Sequence, residues 1–234
     1  SHSRCYAGRN YGCFGVFEKI ITLYLNMKKY PNIRNAEKIW REGISYRLAN
    51  YPFPEKEEYI FHSRGVGRCC RIIAEHTQDL NPEKAYVLGL LHDCGKRVNE
   101  KLSGRFHVRE GYDLMEAMDY TDVARVCLTH SFYSPNFDEK FYPSYRPEWL
   151  TWAKDKMRGI TFNDYDRLVQ LCDLFFEGLE KVCLKKRFEG LIRRYNLQWP
   201  LLQSLYQHAL DNKKFFDEKC GCCIYDLLEI KNED

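Results

Sequence analysis

The sequence predicts an all-α fold, on three observations. Apolar residues recur at three- and four-residue spacing along nearly the whole chain, as in helices that bury one stripe. Pro, Asn and Thr punctuate these stripes at positions that start or stop helices. No alternating stretch is long enough for a strand. With 234 residues, 44% hydrophobic and 15% aromatic, the chain can bury a sizeable core.

In order, "FGVFEKIITLYLNMKKY" places apolar residues at 16, 17, 20, 21, 24 and 27 and predicts a helix that Pro31 ends. "NIRNAEKIWREGISYRLANY" predicts a second, closed near Pro52 and Pro54, and "EEYIFHSRGVGRCCRIIAEH" a third, despite Gly65 and Gly67. Asn81-Pro82 opens a short helix to about Leu91. Two more are expected near 107–118 and 121–130, then a Pro-, Tyr- and Trp-rich loop with a helical piece over 131–160. "TFNDYDRLVQLCDLFFEGLEKVCLKKRFEGLIRRY" carries apolar residues at 168, 171, 172, 175, 176, 179, 182 and 183. It predicts one long helix, with Thr161 as cap and Asp164 in capping-box position. The remainder reads as one helix and a short terminal one.

The formal charge of +3, from 36 basic and 33 acidic residues, does not point to nucleic acid as a partner. No run of 18 apolar residues exists, so no membrane span is expected. The start lacks the basic-then-apolar pattern of a secretory signal. Eleven cysteines, an odd number, mostly fall inside apolar stripes and read as free small hydrophobes of a reducing cytoplasm. The "CGCC" at 220–223 is a weak zinc signal, one Cys-x-x-Cys with no second pair nearby.

Three histidines begin or end apolar stripes: His62 shares a face with Val66, Cys69, Cys70 and Ile73, His92 with Ala85 and Leu88, and His130 with Val123, Val126 and Cys127. Any one could be a core histidine bonded to a carbonyl or carboxylate. Three together, beside Asp93, favour a metal. Asp173 is flanked by bulky apolar residues and needs a metal or a histidine as partner. Asp166 and Glu180 read as a solvated face, as does the basic "KKRFEGLIRRY" at 185–195. Lys96 either offsets a helix dipole or contacts a phosphate, with Arg64 and Arg109 as weaker phosphate candidates. His76 reads as exposed and His208 as structural. Phe132, Tyr133, Phe137, Phe141, Tyr142, Tyr145, Trp149 and Trp152 either stack on a base or fill a core under the long loop.

"FHSRGVGRC", "LLHDCGK" and "DYDRLVQLCDLF" together resemble the HD-domain metal-dependent phosphohydrolases, whose pattern is a His, a His-Asp pair and a distant Asp. The resemblance covers roughly residues 59–180. His107 in "GRFHVREGYDLMEA" and His130 in "VCLTHSFYSP" are similar to the extra histidines of the two-metal subset, which includes the bacterial symmetrical diadenosine tetraphosphate hydrolases. The chain departs from those hydrolases after His130, where Ser-Phe-Tyr-Ser stands, and after Asp173, where no Glu-Pro-Gly-Arg follows.

The resemblance implies an HD-domain helical bundle over 56–190; the segments 1–55 and 191–234, which it does not explain, read as an N-terminal helical extension and a C-terminal one packed on the core. It implies one metal on His62, His92, Asp93 and Asp173, and a second on His107 and His130 with Asp93 bridging. Imidazole and carboxylate ligands suit iron, manganese or zinc, with magnesium, nickel or cobalt as substitutes. Such ions make hydroxide available at neutral pH and clamp phosphoryl oxygens. The implied activity is hydrolysis of a small phosphate ester or pyrophosphate, a nucleotide foremost, with Asp93 and Lys96 in catalytic roles. The alternatives are a one-metal 5′-nucleotidase using the four outer ligands, and a non-catalytic HD-like module that binds metal or nucleotide. The oligomeric state is left open.

Overall fold

A computed structural model of the chain describes residues 29–196 and 199–231. The helix expected over 14–30 lies almost wholly outside them. The described residues form helices apart from one minimal hairpin, in the order α1 (Ile33–Asn50), α2 (Lys56–Glu75), α3 (Pro82–Leu91), a 3-10 turn (Cys94–Arg97), α4 (Glu100–Ser103), α5 (His107–Glu116), α6 (Thr121–Thr129), a 3-10 turn (Glu139–Phe141), α7 (Pro147–Met157), α8 (Asp164–Asp173), β1 (Phe176–Glu177), β2 (Glu180–Lys181), α9 (Leu184–Tyr195), α10 (Trp199–Cys220) and α11 (Ile224–Leu227).

Helix α3 is the hub. It starts where Asn81 Oδ1 accepts from Lys84 N at 2.9 Å and Pro82 fills a first-turn position. Ala85, Val87, Leu88, Leu90 and Leu91 are all buried, because α1, α2, α6 and α8 pack around it. A helix enclosed on every side must be apolar all round, so the three- and four-residue spacing of Ala85, Leu88 and His92 marked no special face. Helix α10 lies against α8 and α9, with Ala209 and Phe216 in the main core.

A second apolar cluster gathers Phe106, Leu128, Phe132, Phe137, Tyr142, Leu150 and Met157. The irregular 131–160 segment thus builds its own small core over α5 and α6. This decides between the two readings for Phe132, Phe137 and Tyr142, which are core residues.

The long helix expected from 161 to 195 is two helices separated by a hairpin. The apolar set was right: Leu168, Leu171, Cys172, Phe175, Phe176, Val182 and Cys183 are buried. Leu179 is the exception at 55% exposure, because it sits on the hairpin turn. Gly178, in the left-handed region at φ +59°, turns the chain and would cost about 1 kcal/mol inside a helix. The cap is also different. Asn163 Oδ1 accepts from Asp166 N at 3.2 Å and Asp166 Oδ2 accepts from Asn163 N at 2.8 Å, a reciprocal capping box. Thr161 instead offers its carbonyl to Arg125.

Asp166 is not on a solvated face. It is 1% exposed and takes Nε of Arg125 at 3.0 Å and Oγ1 of Thr129 at 2.8 Å on Oδ1. Glu180 is exposed, as expected. Among the described residues, no helix is long and apolar enough to cross a membrane, and the nine described cysteines are all free, six of them buried.

Candidate metal centre and its cleft

Four helix ends and the first 3-10 turn deliver the candidate site. His62 stands in the second turn of α2, His92 caps α3 and Asp93 follows it. His107 opens α5, His130 caps α6 and Asp173 ends α8. Gly95 makes this convergence possible. A Cβ there would fall 1.8 Å from the His107 carbonyl oxygen, so only glycine lets the His-Asp turn lie against the start of α5.

The six side chains meet around Asp93. Its Oδ2 lies 3.4 Å from His92 Nε2 and 3.7 Å from His62 Nε2, and its Oδ1 lies 3.4 Å from His130 Nε2 and 3.6 Å from His107 Nε2. Asp173 Oδ1 closes the first group at 2.9 Å from His62 Nε2 and 3.4 Å from His92 Nε2. Two groups can therefore hold a metal ion: His62, His92 and Asp93, with Asp173 beside them, and Asp93, His107 and His130. Among the described residues there is no third, and the Cys-x-x-Cys at 220–223 forms none.

Hydrogen bonds on the far ring nitrogens orient the imidazoles. His92 Nδ1 lies 2.7 Å from the Gly89 carbonyl, His130 Nδ1 3.0 Å from the Val126 carbonyl and His107 Nδ1 2.5 Å from Glu100 Oε1. A carbonyl or carboxylate can only accept, so each Nδ1 donates and each Nε2 turns a lone pair toward Asp93. Lone pairs then face lone pairs. Asp93 Oδ1 is buried with no hydrogen-bond donor, an expensive state for a carboxylate oxygen. A cation between the rings and the carboxylates satisfies all of them, so the donor set fits one or two divalent metal ions.

A proton on His92 is the other way to relieve these lone pairs. Burial opposes charge on His92, but Asp93 and Asp173 outweigh it and raise its pKa to about 10, so its Nε2 holds a proton that a bound metal would displace. Burial likewise raises Asp93 and Asp173, yet Lys96 and His92 around the first, and His62 and His92 around the second, pull both well below the carboxylate range. Burial keeps His62 and His130 below their ordinary value. The cluster retains two carboxylates and draws positive charge to itself.

Lys96 Nζ bonds Asp93 Oδ2, so its ammonium reaches the centre. Arg47 of α1 fixes the turn that carries it: buried at 5% exposure, it donates to the Lys96 carbonyl at 2.9 Å and to the Val98 carbonyl at 2.5 Å. Arg64 and Arg109 point elsewhere. The first pairs with Glu37 and stacks on Trp40, and the second pairs with Asp113 on the surface. His76 is exposed, and His208 bonds Asn212 and meets the Tyr133 ring edge to face.

The profile of the HD domain family matches residues 59–175. The chain belongs to the HD domain family. The match runs from just ahead of His62 to just past Asp173 and so contains both metal-capable groups. No curated protein and no solved structure matches the chain.

In this HD domain a cleft of about 990 Å³ opens over the centre. His62, Asp93, His107, His130 and Asp173 lie in its wall with Lys96, Tyr145, Trp149, Arg187 and Arg194. Trp149 stacks on Phe106 with centroids 4.7 Å apart and planes 5° off parallel. Of the eight aromatics left undecided by the sequence, Tyr145 and Trp149 therefore face the cleft from the rim of the second core. The basic stretch "KKRFEGLIRRY" is solvated at Lys185, Arg193 and Arg194, but Arg187 is not, at 14% side-chain exposure, because α9 folds back against the cleft after the hairpin, and Arg194 reaches the cleft wall from its exposed side. Glu100 was also missed. It lies on α4 and His107 on α5, across the Gly104 turn, so periodicity along one helix does not flag the pair.

Proposed function

We propose that the protein is a metal-dependent phosphohydrolase acting on a small phosphate ester or pyrophosphate, most plainly a nucleotide. The supporting observation is Asp93, a buried carboxylate that presents one oxygen to each of two imidazole groups at the floor of a large cleft. In this reading His62, His92, Asp93 and Asp173 hold one ion, and His107, His130 and Asp93 a second. Bound divalent ions would supply Lewis acidity toward phosphoryl oxygens and a water nucleophile at neutral pH.

The chain's own groups do the rest. Gly89, Val126 and Glu100 hold His92, His130 and His107 in the tautomer that offers Nε2, so the donors are oriented before substrate arrives. Lys96 neutralises Asp93 when no cation is present. With Asp93 holding a metal, the Lys96 ammonium would be free for a substrate phosphate and the charge developing on it. Tyr145 and Trp149 give the cleft a flat apolar wall suited to a base. Iron, manganese and zinc all suit the mixed nitrogen and oxygen donors.

The test is steady-state hydrolysis of mononucleotides, dinucleoside polyphosphates and cyclic nucleotides by protein of measured metal content. Hydrolysed nucleotide product that follows metal loading is the expected result. No hydrolysis of any of them by fully loaded protein would end the proposal and favour a non-catalytic binding module.

A further inference from the structure

The hairpin and α9 lie beyond the residues that the HD domain family matches, yet they place two arginines in the cleft wall. Arg187 and Arg194 are seven residues apart on α9 and share one face. Both lean on a single carboxylate: Arg187 Nη1 donates to Glu177 Oε2 at 2.6 Å, and Arg194 Nη2 to Glu177 Oε1 at 2.5 Å. Gly190, between them on the same face, makes room for it, since a Cβ there would fall 2.6 Å from Glu177 Oε1.

Two guanidiniums against one carboxylate leave a positive charge unmatched. Arg187 Nε is also buried without an acceptor, an unpaid donor on a strongly hydrogen-bonding group. The arginines are anchored to Glu177 rather than to any of the six metal-centre residues. Glu177 is four residues past Asp173, a stretch that spans at most about 14 Å. They are therefore held by a carboxylate other than those of the metal centre, and line the same cleft. Guanidinium forks bind phosphate with paired, charge-assisted hydrogen bonds.

We propose that Arg187 and Arg194, set by Glu177 and Gly190, form a second anion site that takes a phosphoryl group of the substrate other than the one at the metal centre. The cleft then selects substrates with two phosphoryl groups over simple phosphomonoesters. This rests on the reading that the cleavable phosphate sits at the metal centre.

Binding separates the two ideas. Calorimetry of the full chain, manganese-loaded, would use inorganic phosphate as the one-anion probe and α,β-methylene-ADP, which resists hydrolysis, as the two-phosphoryl probe. Arg187→Gln and Arg194→Gln should each weaken α,β-methylene-ADP at least about tenfold, the scale of one lost charge-assisted hydrogen bond, and leave inorganic phosphate within about twofold. Arg194 is 44% exposed, so its variant keeps the test alive should the Arg187 variant fail to fold. Equal weakening of both probes, or of neither, would overturn the second anion site. The predicted binding pattern in a protein that hydrolyses nothing would leave the site standing and remove the hydrolase reading alone. Hydrolysis with no difference between parent and variants would do the reverse.

Discussion

Helix α8 carries two inward carboxylates with opposite fates. Asp166 and Asp173 are seven residues apart, which puts them within about 20° of one face. Asp166 meets the fixed cation of Arg125 and the Thr129 hydroxyl. Asp173 meets His62 and His92, and through them Asp93. The first carboxylate has its partners built in. The second faces two imidazoles, of which His92 already commits its far nitrogen to the Gly89 carbonyl, and beside it Asp93 Oδ1 has no donor. A buried carboxylate closed by an arginine holds helices together, whereas one set among imidazoles leaves a place for a cation.

Exchanging Asp93, the carboxylate at the middle of the centre, and Asp166 for amides gives the largest expected effects. Asp93→Asn should weaken both metal groups and lower turnover at least about a hundredfold, the scale of a lost electrostatic stabiliser, while metal-free stability changes little by comparison. Asp166→Asn should do the opposite. Removing one partner of a buried pair costs about 3 kcal/mol, taken at the low end because Arg125 is partly exposed. Metal content of the folded fraction should stay at the parent value. Urea melts and metal analysis on both variants make the comparison, and a similar loss of metal in both would erase the distinction drawn here.

A medium effect is expected within the centre itself. His107→Ala or His130→Ala should remove about one ion per chain and leave the His62, His92 and Asp173 group filled. Metal stoichiometry by mass spectrometry reads this directly, and one ion per chain in the parent, unchanged in both variants, would leave a one-metal site.

Lys96→Ala is the mildest. The ammonium competes with a cation for Asp93 Oδ2, so metal content should be retained or slightly tightened. KM should rise or kcat should fall, on the order of tenfold for one charged contact to phosphate. Loss of metal in this variant would make Lys96 a support of the centre rather than a substrate group.

The sequence by itself determined the helical class, most helix positions and the identity of a histidine-rich set around Asp93. Those signals are local: a 3.6-residue period, Asn-Pro at a helix start, His-Asp followed by Gly. The Arg125–Asp166 pair was hidden because its partners are 41 residues apart on different helices, and an aspartate on the polar side of a stripe looks alike whether it meets water or arginine. The break after Asp173 was hidden because a two-residue hairpin keeps the same apolar residues inside that a continuous helix would. That break alone swings α9 across the cleft and brings Arg187 and Arg194 to it. Tertiary structure decided what the chain's charges face, because a charge's partner depends on which surfaces pack together, and periodicity along one helix carries no record of its neighbours.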